Sequence, residues 1–258
     1  MRRARARGRV ARMICSVVLA ATIACGAATI QTQAEDLKIR SPIIEMHELE
    51  FENNFVFGRG ATTVHELEYG LTNWFKPGIE LELARDPGQG LHYDATALEG
   101  FFQLTPQGKY WADVGIFAEY EQTGRTGDPR SVMVGPMVQK EVPLARTTLL
   151  NTVNLFMTKD LGAGSVGTPG LFAAAQSRLR LDPHFEPGFE YYGIVTLGNH
   201  GEDPRHFIGP AVAGRVGFRE LGLNVPGGIK YDAAYLRGLT HDTDPSTFRF
   251  RFELEFPL

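Results

Sequence analysis

The last eleven residues of the chain, FRFRFELEFPL at 248–258, alternate large apolar residues with charged ones. Phenylalanine and leucine occupy the even positions, whereas two arginines and then two glutamates occupy odd positions. Because successive side chains of a β-strand point to opposite faces, this pattern predicts a strand with one apolar and one charged face. Such a strand must lie between an apolar and an aqueous environment.

The same period-two alternation recurs along the chain, whereas residues 35–258 keep no helical period over three turns. In the segment 110–121 aromatic residues stand towards the two ends with small or aliphatic residues between them, which is typical of strands that meet two membrane interfaces. An even number of strands suits a closed antiparallel barrel. Twelve strands are predicted, at 43–56, 62–72, 77–86, 91–104, 109–121, 131–141, 144–158, 170–181, 187–198, 206–219, 227–237 and 246–258.

The connections between these strands form two groups. Pro-Gly pairs in FKPGIE (75–80), FEPGFE (185–190) and VPGGIKY (225–231) predict tight turns after strands two, eight and ten, on the side of both chain ends. The longer connections follow odd strands and therefore lie on the opposite side. A side of short turns and a side of long loops is the outer-membrane arrangement. The long connections are 122–130, 159–169, 199–205 and 238–245.

The N-terminus predicts export. Residues 1–12 carry six arginines and no acidic residue, and an uncharged run follows from Met13 to Ile30. This pattern predicts a signal peptide over residues 1–34, cleaved after Ala34, with cleavage after Ala28 and an uncleaved anchor as alternatives. Both cysteines fall inside it, so a mature chain has neither disulfides nor cysteine–zinc sites. A short segment, 35–42, then precedes a barrel at 43–258.

These features together resemble Gram-negative outer-membrane β-barrel proteins. The resemblance lies in the basic signal, the sorted turns, the segment YGLTNWFKPGIELEL (69–83) and the aromatic C-terminal strand. It implies an all-β, antiparallel, up-and-down transmembrane barrel of about twelve strands in the outer membrane. It also implies two partners, the membrane lipids and the barrel-assembly machinery, although Pro257-Leu258 replaces the usual final aromatic residue. The hairpins further resemble uncharacterised transporter-like barrels of aromatic-degradation operons.

Charge is unevenly distributed along the predicted strands. Residues 41–121 hold 14 acidic and 4 basic residues, and residues 122–258 hold 14 of each. Strand parity makes the inward positions of the early strands acidic and those of the late strands richer in bases, and pairing of the first strand with the last should bring Glu48–Glu52 opposite Arg249 and Arg251. The predicted lumen residues are Glu48, Glu50, Glu52, Glu66, Glu68, Glu80, Glu82, Asp113, Glu119, Glu121, Arg178, Arg180, Lys230, Arg249 and Arg251.

Two functions are compatible with a charged lumen. A water-filled lumen with acidic and basic walls favours passive or facilitated movement of small polar or cationic solutes, and this is the function we predict. In the alternative, the charges pair and close the lumen, and the barrel has a structural role or binds partners through its loops. A formal net charge of −4 argues against a nucleic-acid partner, and no cofactor is predicted.

Catalysis and metal binding are weaker hypotheses. A membrane-embedded hydrolase would need a Ser–His pair at the lipid rim, and no serine of the mature chain lies in a His-x-Ser pair, so we predict no enzyme. Two loops, 199–206 and 240–244, gather His200, His206 and His241 beside acidic residues. A divalent metal could bind there, but solvated polar loops explain the same residues.

Overall fold

The computed structural model describes residues 37–86, 88–124, 129–162, 165, 168–197, 204–241 and 243–258; the predicted signal peptide and His200 lie outside them. Twelve antiparallel strands form one closed barrel in which each strand pairs with its sequence neighbours and β1 pairs with β12, as predicted. The strands are β1 (Glu48–Phe57), β2 (Ala61–Tyr69), β3 (Phe75–Arg85), β4 (His92–Gln103), β5 (Asp113–Thr123), β6 (Arg130–Pro143), β7 (Thr148–Leu161), β8 (Gly170–Leu179), β9 (Glu186–Thr196), β10 (Arg205–Gly217), β11 (Gly228–Gly238) and β12 (Thr247–Pro257).

Within these ranges, no helix has the length and apolarity that a membrane crossing requires.

The first strand begins later than the sequence predicted. β1 starts at Glu48 rather than at residue 43, and the residues before it do not join the sheet. Residues 37–44, which we call the lumen segment, enter the barrel, and Leu37, Ile39 and Ile44 are buried. An exposed turn at 45–47 connects this segment to β1.

The predicted sorting of the connections by length is wrong, and of the three predicted Pro-Gly turns only Pro226-Gly227 lies in a connection between strands. Pro77-Gly78 and Pro187-Gly188 lie inside β3 and β9, where proline is tolerated close to a strand start. Gly188 admits a close neighbouring backbone, because an added Cβ would lie 2.3 Å from the Ser177 carbonyl oxygen. The side on which β1 begins and β12 ends, called here the terminal side, carries connections as long as 104–112 and 218–227. Loop length therefore does not distinguish it from the opposite side, called the far side.

The outer surface is apolar and has two aromatic rims. Trp74, Trp111 and Phe189 are exposed towards the terminal side, and Tyr93 and Tyr235 towards the far side. Aliphatic side chains occupy the outer surface between these rims. Exposed examples are Leu67, Leu81, Leu98, Val153, Leu155 and Ile208.

The C-terminal strand follows its predicted alternation. Phe248 is 39% exposed on the outer face, whereas Arg249, the next residue, is 1% exposed and faces the lumen. On the outer face, Phe252 stacks on Phe55 of β1 with ring centroids 6.1 Å apart. The closure between β1 and β12 therefore has aromatic contacts outside and charged contacts inside.

Candidate functional site

One half of the lumen carries a group of buried carboxylates on β1–β5, which we call the acidic wall. In the β1–β2 register Glu50 lies opposite Glu68, and Glu52 lies opposite Glu66. Like charges in directly opposite positions destabilise a sheet, so these carboxylates need cations. Lys76 of β3 supplies one, because its ammonium contacts Glu68 and lies 2.5 Å from a carboxylate oxygen of Glu50. The acidic wall consists of Glu50, Glu52, Glu66, Glu68, Glu80, Glu99 and Glu119.

The lumen segment supplies two further cations to the acidic wall. The Lys38 ammonium binds the Glu66 carboxylate and lies 3.1 Å from an oxygen of Glu52. The Arg40 guanidinium lies 3.3 Å from Glu99 and 3.5 Å from Glu119. Burial by itself would lower the pKa of Lys38, but the carboxylates around it outweigh that effect and hold the pKa well above its ordinary value. The carboxylates around Lys38 therefore favour its charged form.

The opposite half of the lumen carries cations on β8 and β10–β12, which we call the basic wall: Arg178, Arg215, Lys230, Arg249 and Arg251. Acidic residues on strands β9, β11 and β12 of the same half bind these cations. Arg249 lies 2.7 Å from a Glu190 oxygen and also contacts Asp232, which lies 2.6 Å from Arg251. Lys230 and Arg215 both bind Glu255. The basic wall is thus neutralised by the sheet itself, whereas the acidic wall depends in part on the lumen segment.

A layer of aromatic side chains crosses the lumen at the level of Arg40. Successive ring centroids are 5.0, 5.1, 6.0 and 6.3 Å apart. Leu37 and Ile39 of the lumen segment belong to the same buried apolar cluster. Strand side chains and the lumen segment therefore fill the barrel together at this level. The aromatic layer consists of Phe101, Phe117, Phe156, Phe172 and Tyr192.

A cavity of about 540 Å³ lies between this layer and the terminal side. Glu50 and Glu68 of the acidic wall line it on one side, and Arg178 and Lys230 of the basic wall line it on the other. Residues of the β8–β9 connection also line it, so the cavity reaches the terminal end of the barrel.

The charged interior and the apolar exterior together decide the environment of the barrel. A soluble barrel buries its apolar face, whereas here the outward residues are exposed aliphatics between two aromatic rims. Only closed barrels can cross a bilayer with strands, because closure satisfies every edge. The outer face is therefore that of a transmembrane β-barrel.

Comparison with known proteins gives distant structural likenesses. Neither the protein-family models nor the curated sequences give a match. The translocator domain of autotransporter NalP from Neisseria meningitidis is 12% identical, with 82% of this chain and 87% of that chain covered and a TM-score of 0.45. OccK11 (OpdR) of Pseudomonas aeruginosa is 10% identical, with 86% and 100% covered and a TM-score of 0.29. OprD of P. aeruginosa is 12% identical, with 90% and 99% covered and a TM-score of 0.27.

If the outer face lies in a bilayer, a charge placed on it should lower the free energy of unfolding. Leu155 lies midway along β7 and is 45% exposed. We expect Leu155→Arg to lower the free energy of unfolding in liposomes by ~2–4 kcal/mol, because it places a charge near the bilayer midplane. Leu144→Arg, outside the strand at the terminal rim, should lose at most ~1 kcal/mol. Urea titrations of both variants measure the difference, and equal losses would contradict the membrane depth assigned to Leu155.

Strand parity places the predicted lumen residues on the inner face, but their partners were only partly predicted. Arg251 lies 3.4 Å from Glu52, close to the predicted pairing. Arg249 instead binds Glu190 and Asp232, because the register places it opposite Val56, beyond Glu52. Their role in selectivity stays a prediction. The same holds for the other predicted residues: Glu48, Glu50, Glu66, Glu68, Glu80, Glu82, Asp113, Glu119, Glu121, Arg178, Arg180 and Lys230.

The individual contacts of the remaining residues differ. Asp113 accepts a hydrogen bond from the Gly108 backbone N–H at 2.6 Å and so holds the β4–β5 connection. Arg178 and Arg180 lie 3.2 and 3.7 Å from Glu186 at the terminal end of the cavity. These three predicted residues therefore support the terminal entrance, whereas the acidic wall lies deeper.

Sequence reasoning missed the lumen segment and the aromatic layer. Lys38 and Arg40 are the only bases between the predicted signal peptide and region 41–121. The surplus of acidic residues in that region was the available signal that these two bases could pair with it. Phe117 shares the parity of Asp113 and Glu119, so an inward aromatic residue was readable in β5. What the pattern could not reveal is that several such rings meet.

Three carboxylates of the acidic wall come close enough to hold a metal ion. Glu66, Glu80 and Glu99 each offer an oxygen, and these oxygens lie within 4.8 Å of one another. Lys38 and Arg40 bind two of the three, so cations of the chain itself supply charge to this cluster.

The predicted histidine site is only partly described. His206 lies in β10, with its Nδ1 2.8 Å from the Tyr191 hydroxyl, and His241 lies in the β11–β12 connection. His200 is outside the described residues, so a metal site in these loops stays a prediction.

The hydrolase hypothesis gains no support from the contacts of the outer face. His65 is the histidine of β2, and its Nδ1 lies 2.7 Å from the Asn53 side-chain oxygen. Among the described serines, the hydroxyls of Ser41, Ser177 and Ser246 donate to Gln139, Asn151 and Tyr235.

Proposed function

We propose that the barrel is a passive channel for small cationic or polar solutes, closed at rest by its own lumen segment. The observation that carries this proposal is that Lys38 and Arg40, on a segment outside the sheet, supply cations to the acidic wall. A segment without strand pairing can leave the lumen while all twelve strands of the barrel stay paired. Its departure would expose a row of carboxylates, which favours cations.

The basic wall supports the same direction of selectivity. Its cations are bound by Glu190, Asp232, Glu253 and Glu255, all on strands of the barrel. These pairs remain when the lumen segment moves, so loss of Lys38 and Arg40 leaves a net negative lumen. Such a lumen concentrates cations at its entrance.

Single-channel recording tests the proposal. We expect the mature chain in a planar bilayer under a salt gradient to open rarely, with a cation-biased reversal potential. The double variant Lys38→Gln/Arg40→Gln should open at least several-fold more often, because the segment loses its ion pairs. The matched control Arg130→Gln/Lys159→Gln removes two exposed charges at the far side and should behave like the parent chain.

One outcome contradicts a channel outright. If the double variant is folded, shown by its heat-shifted mobility on a gel, and still passes no current, the lumen does not conduct. Anion-biased currents would instead contradict the role given to the acidic wall.

A closed barrel with a structural role is the second candidate. It is favoured by the aromatic layer and by the ion pairs of Arg249. Both consist of strand side chains, so they occupy the lumen whether or not the lumen segment is present. In this case both the parent chain and the double variant stay silent.

A further inference from the structure

The lumen segment is bound as an extended peptide, and the barrel contacts its backbone directly. The Asn154 side chain accepts a hydrogen bond from the Arg40 N–H at 2.7 Å and donates one to the Arg40 carbonyl at 2.8 Å. Arg251 donates to the Ile39 carbonyl at 3.2 Å, and Gln103 accepts from the Ile44 N–H at 2.8 Å. These hydrogen bonds are made to backbone atoms of the segment, so they do not depend on its side chains.

The side chains of the segment divide between two surfaces. Alternate residues of an extended chain point to the same side. Lys38 and Arg40 bind the acidic wall, whereas Leu37 and Ile39 join the buried apolar cluster. The barrel therefore distinguishes basic from apolar positions along the bound segment.

The Arg40 position is built for a guanidinium group. Its Cζ lies 4.2 Å from the centroid of the Phe117 ring, and carboxylates of Glu99 and Glu119 lie within 3.5 Å of its Nη2. A ring face combined with two carboxylates satisfies a planar cation on its face and its edge. The aromatic ring adds an attraction that carboxylates alone do not provide.

Space for the segment is also provided by the sheet. Gly115 of β5 faces the lumen where the segment passes, and an added Cβ there would lie 3.0 Å from the Pro42 Cβ. It would also lie 2.9 Å from the Phe102 carbonyl oxygen and 3.1 Å from the Met137 side chain. A larger residue at position 115 would therefore crowd the segment.

We propose that the lumen is a binding site for extended basic peptides in which a lysine and an arginine stand two residues apart. The lumen segment occupies this site in the resting chain as an internal ligand. A peptide of the same pattern, supplied by another molecule, would displace it. The inference rests on the proposed channel function, because a peptide must be able to enter the lumen.

Cleavage after folding tests this with the full mature chain. A protease site inserted between Glu45 and Met46, in the exposed turn, allows the segment to be detached from the folded barrel. A fluorescent peptide LKIRSPII, identical to residues 37–44, is then titrated in detergent and its anisotropy is followed. We expect saturable binding to the cleaved barrel and little to the uncut chain, whose tethered segment competes at ~mM effective concentration.

Two matched comparisons give the test its specificity. The neutral peptide LQIQSPII should bind at least about tenfold more weakly, because both charge-assisted contacts are lost. Asn154→Leu should weaken binding of LKIRSPII by about tenfold, because it removes both backbone hydrogen bonds. Asn151→Leu, on the same strand but bonded to Ser177, should leave binding unchanged.

Each outcome decides the proposal. Retention of the cut segment through gel filtration supports it, because the peptide is then held without a covalent link. A segment that leaves and does not rebind overturns it, as does equal binding of the neutral peptide. If arginine amide displaced the fluorescent peptide as well as unlabelled LKIRSPII does, the site would bind a small cation and not a peptide. Peptide binding without ionic current would overturn the channel and leave the peptide site intact.

Discussion

Arg249→Ala is expected to lower the free energy of unfolding of the barrel by ~3–5 kcal/mol. The guanidinium is 1% exposed and binds both Glu190 and Asp232. Its removal leaves two carboxylates in a low-dielectric interior with fewer cations, and breaking one side of a buried ion pair is far more costly than losing an exposed one. Tyr192, which donates to Glu190 at 2.9 Å, cannot replace the lost charge.

Urea unfolding of the chain in micelles, followed by the fluorescence of Trp74 and Trp111, measures this loss. Arg180→Ala is the matched control, because Arg180 is 42% exposed in its ion pair with Glu141. It should change the free energy of unfolding by at most ~1 kcal/mol. If the two variants lost equal stability, the buried network around Arg249 would have no special energetic role.

Phe117→Ala is expected to lower the free energy of unfolding by ~3–5 kcal/mol, because it opens a cavity in the aromatic layer. Phe117 is fully buried and its ring centroid lies 5.0 Å from that of Phe101 and 5.1 Å from that of Phe156. The substitution also removes the ring beneath the Arg40 guanidinium. We therefore expect the lumen segment to be held more weakly and channel openings to become more frequent.

Phe189→Ala is the matched control for this substitution. The same residue type is removed, but Phe189 is 64% exposed on the outer surface, so no cavity opens inside the barrel and the loss should be smaller than for Phe117→Ala. Thermal unfolding on semi-native gels measures both variants, and planar-bilayer recordings measure their openings. A Phe117→Ala barrel that is destabilised but opens no more often would separate the aromatic layer from closure of the lumen.

Part of the lumen could be predicted because strand parity is a local property. In FRFRFELEFPL (248–258) each residue's face depends only on its neighbours, so the inward position of Arg249 and Arg251 follows from the pattern. The choice of partner does not follow. It depends on the register between strands, which places Arg249 opposite Val56, four residues beyond Glu52, so that Arg249 binds Glu190 and Asp232 instead.

The turns show how a local signal can mislead. Pro187-Gly188 has the composition of a tight turn, yet it lies inside β9. There, the missing side chain of Gly188 serves the close approach of the Ser177 backbone on the neighbouring strand. Composition alone cannot distinguish a glycine needed for a turn from one needed for packing between strands.

The sequence by itself determined a twelve-strand barrel with an apolar exterior and a charged interior, because period-two alternation encodes both faces of every strand. Only the tertiary structure decided what fills that interior. The lumen segment joins no strand, so strand parity does not reveal its place, and its partners Glu66, Glu99 and Asn154 are distant in sequence. They meet because closure of the barrel encloses a surplus of carboxylates, and buried charge must find a counter-charge.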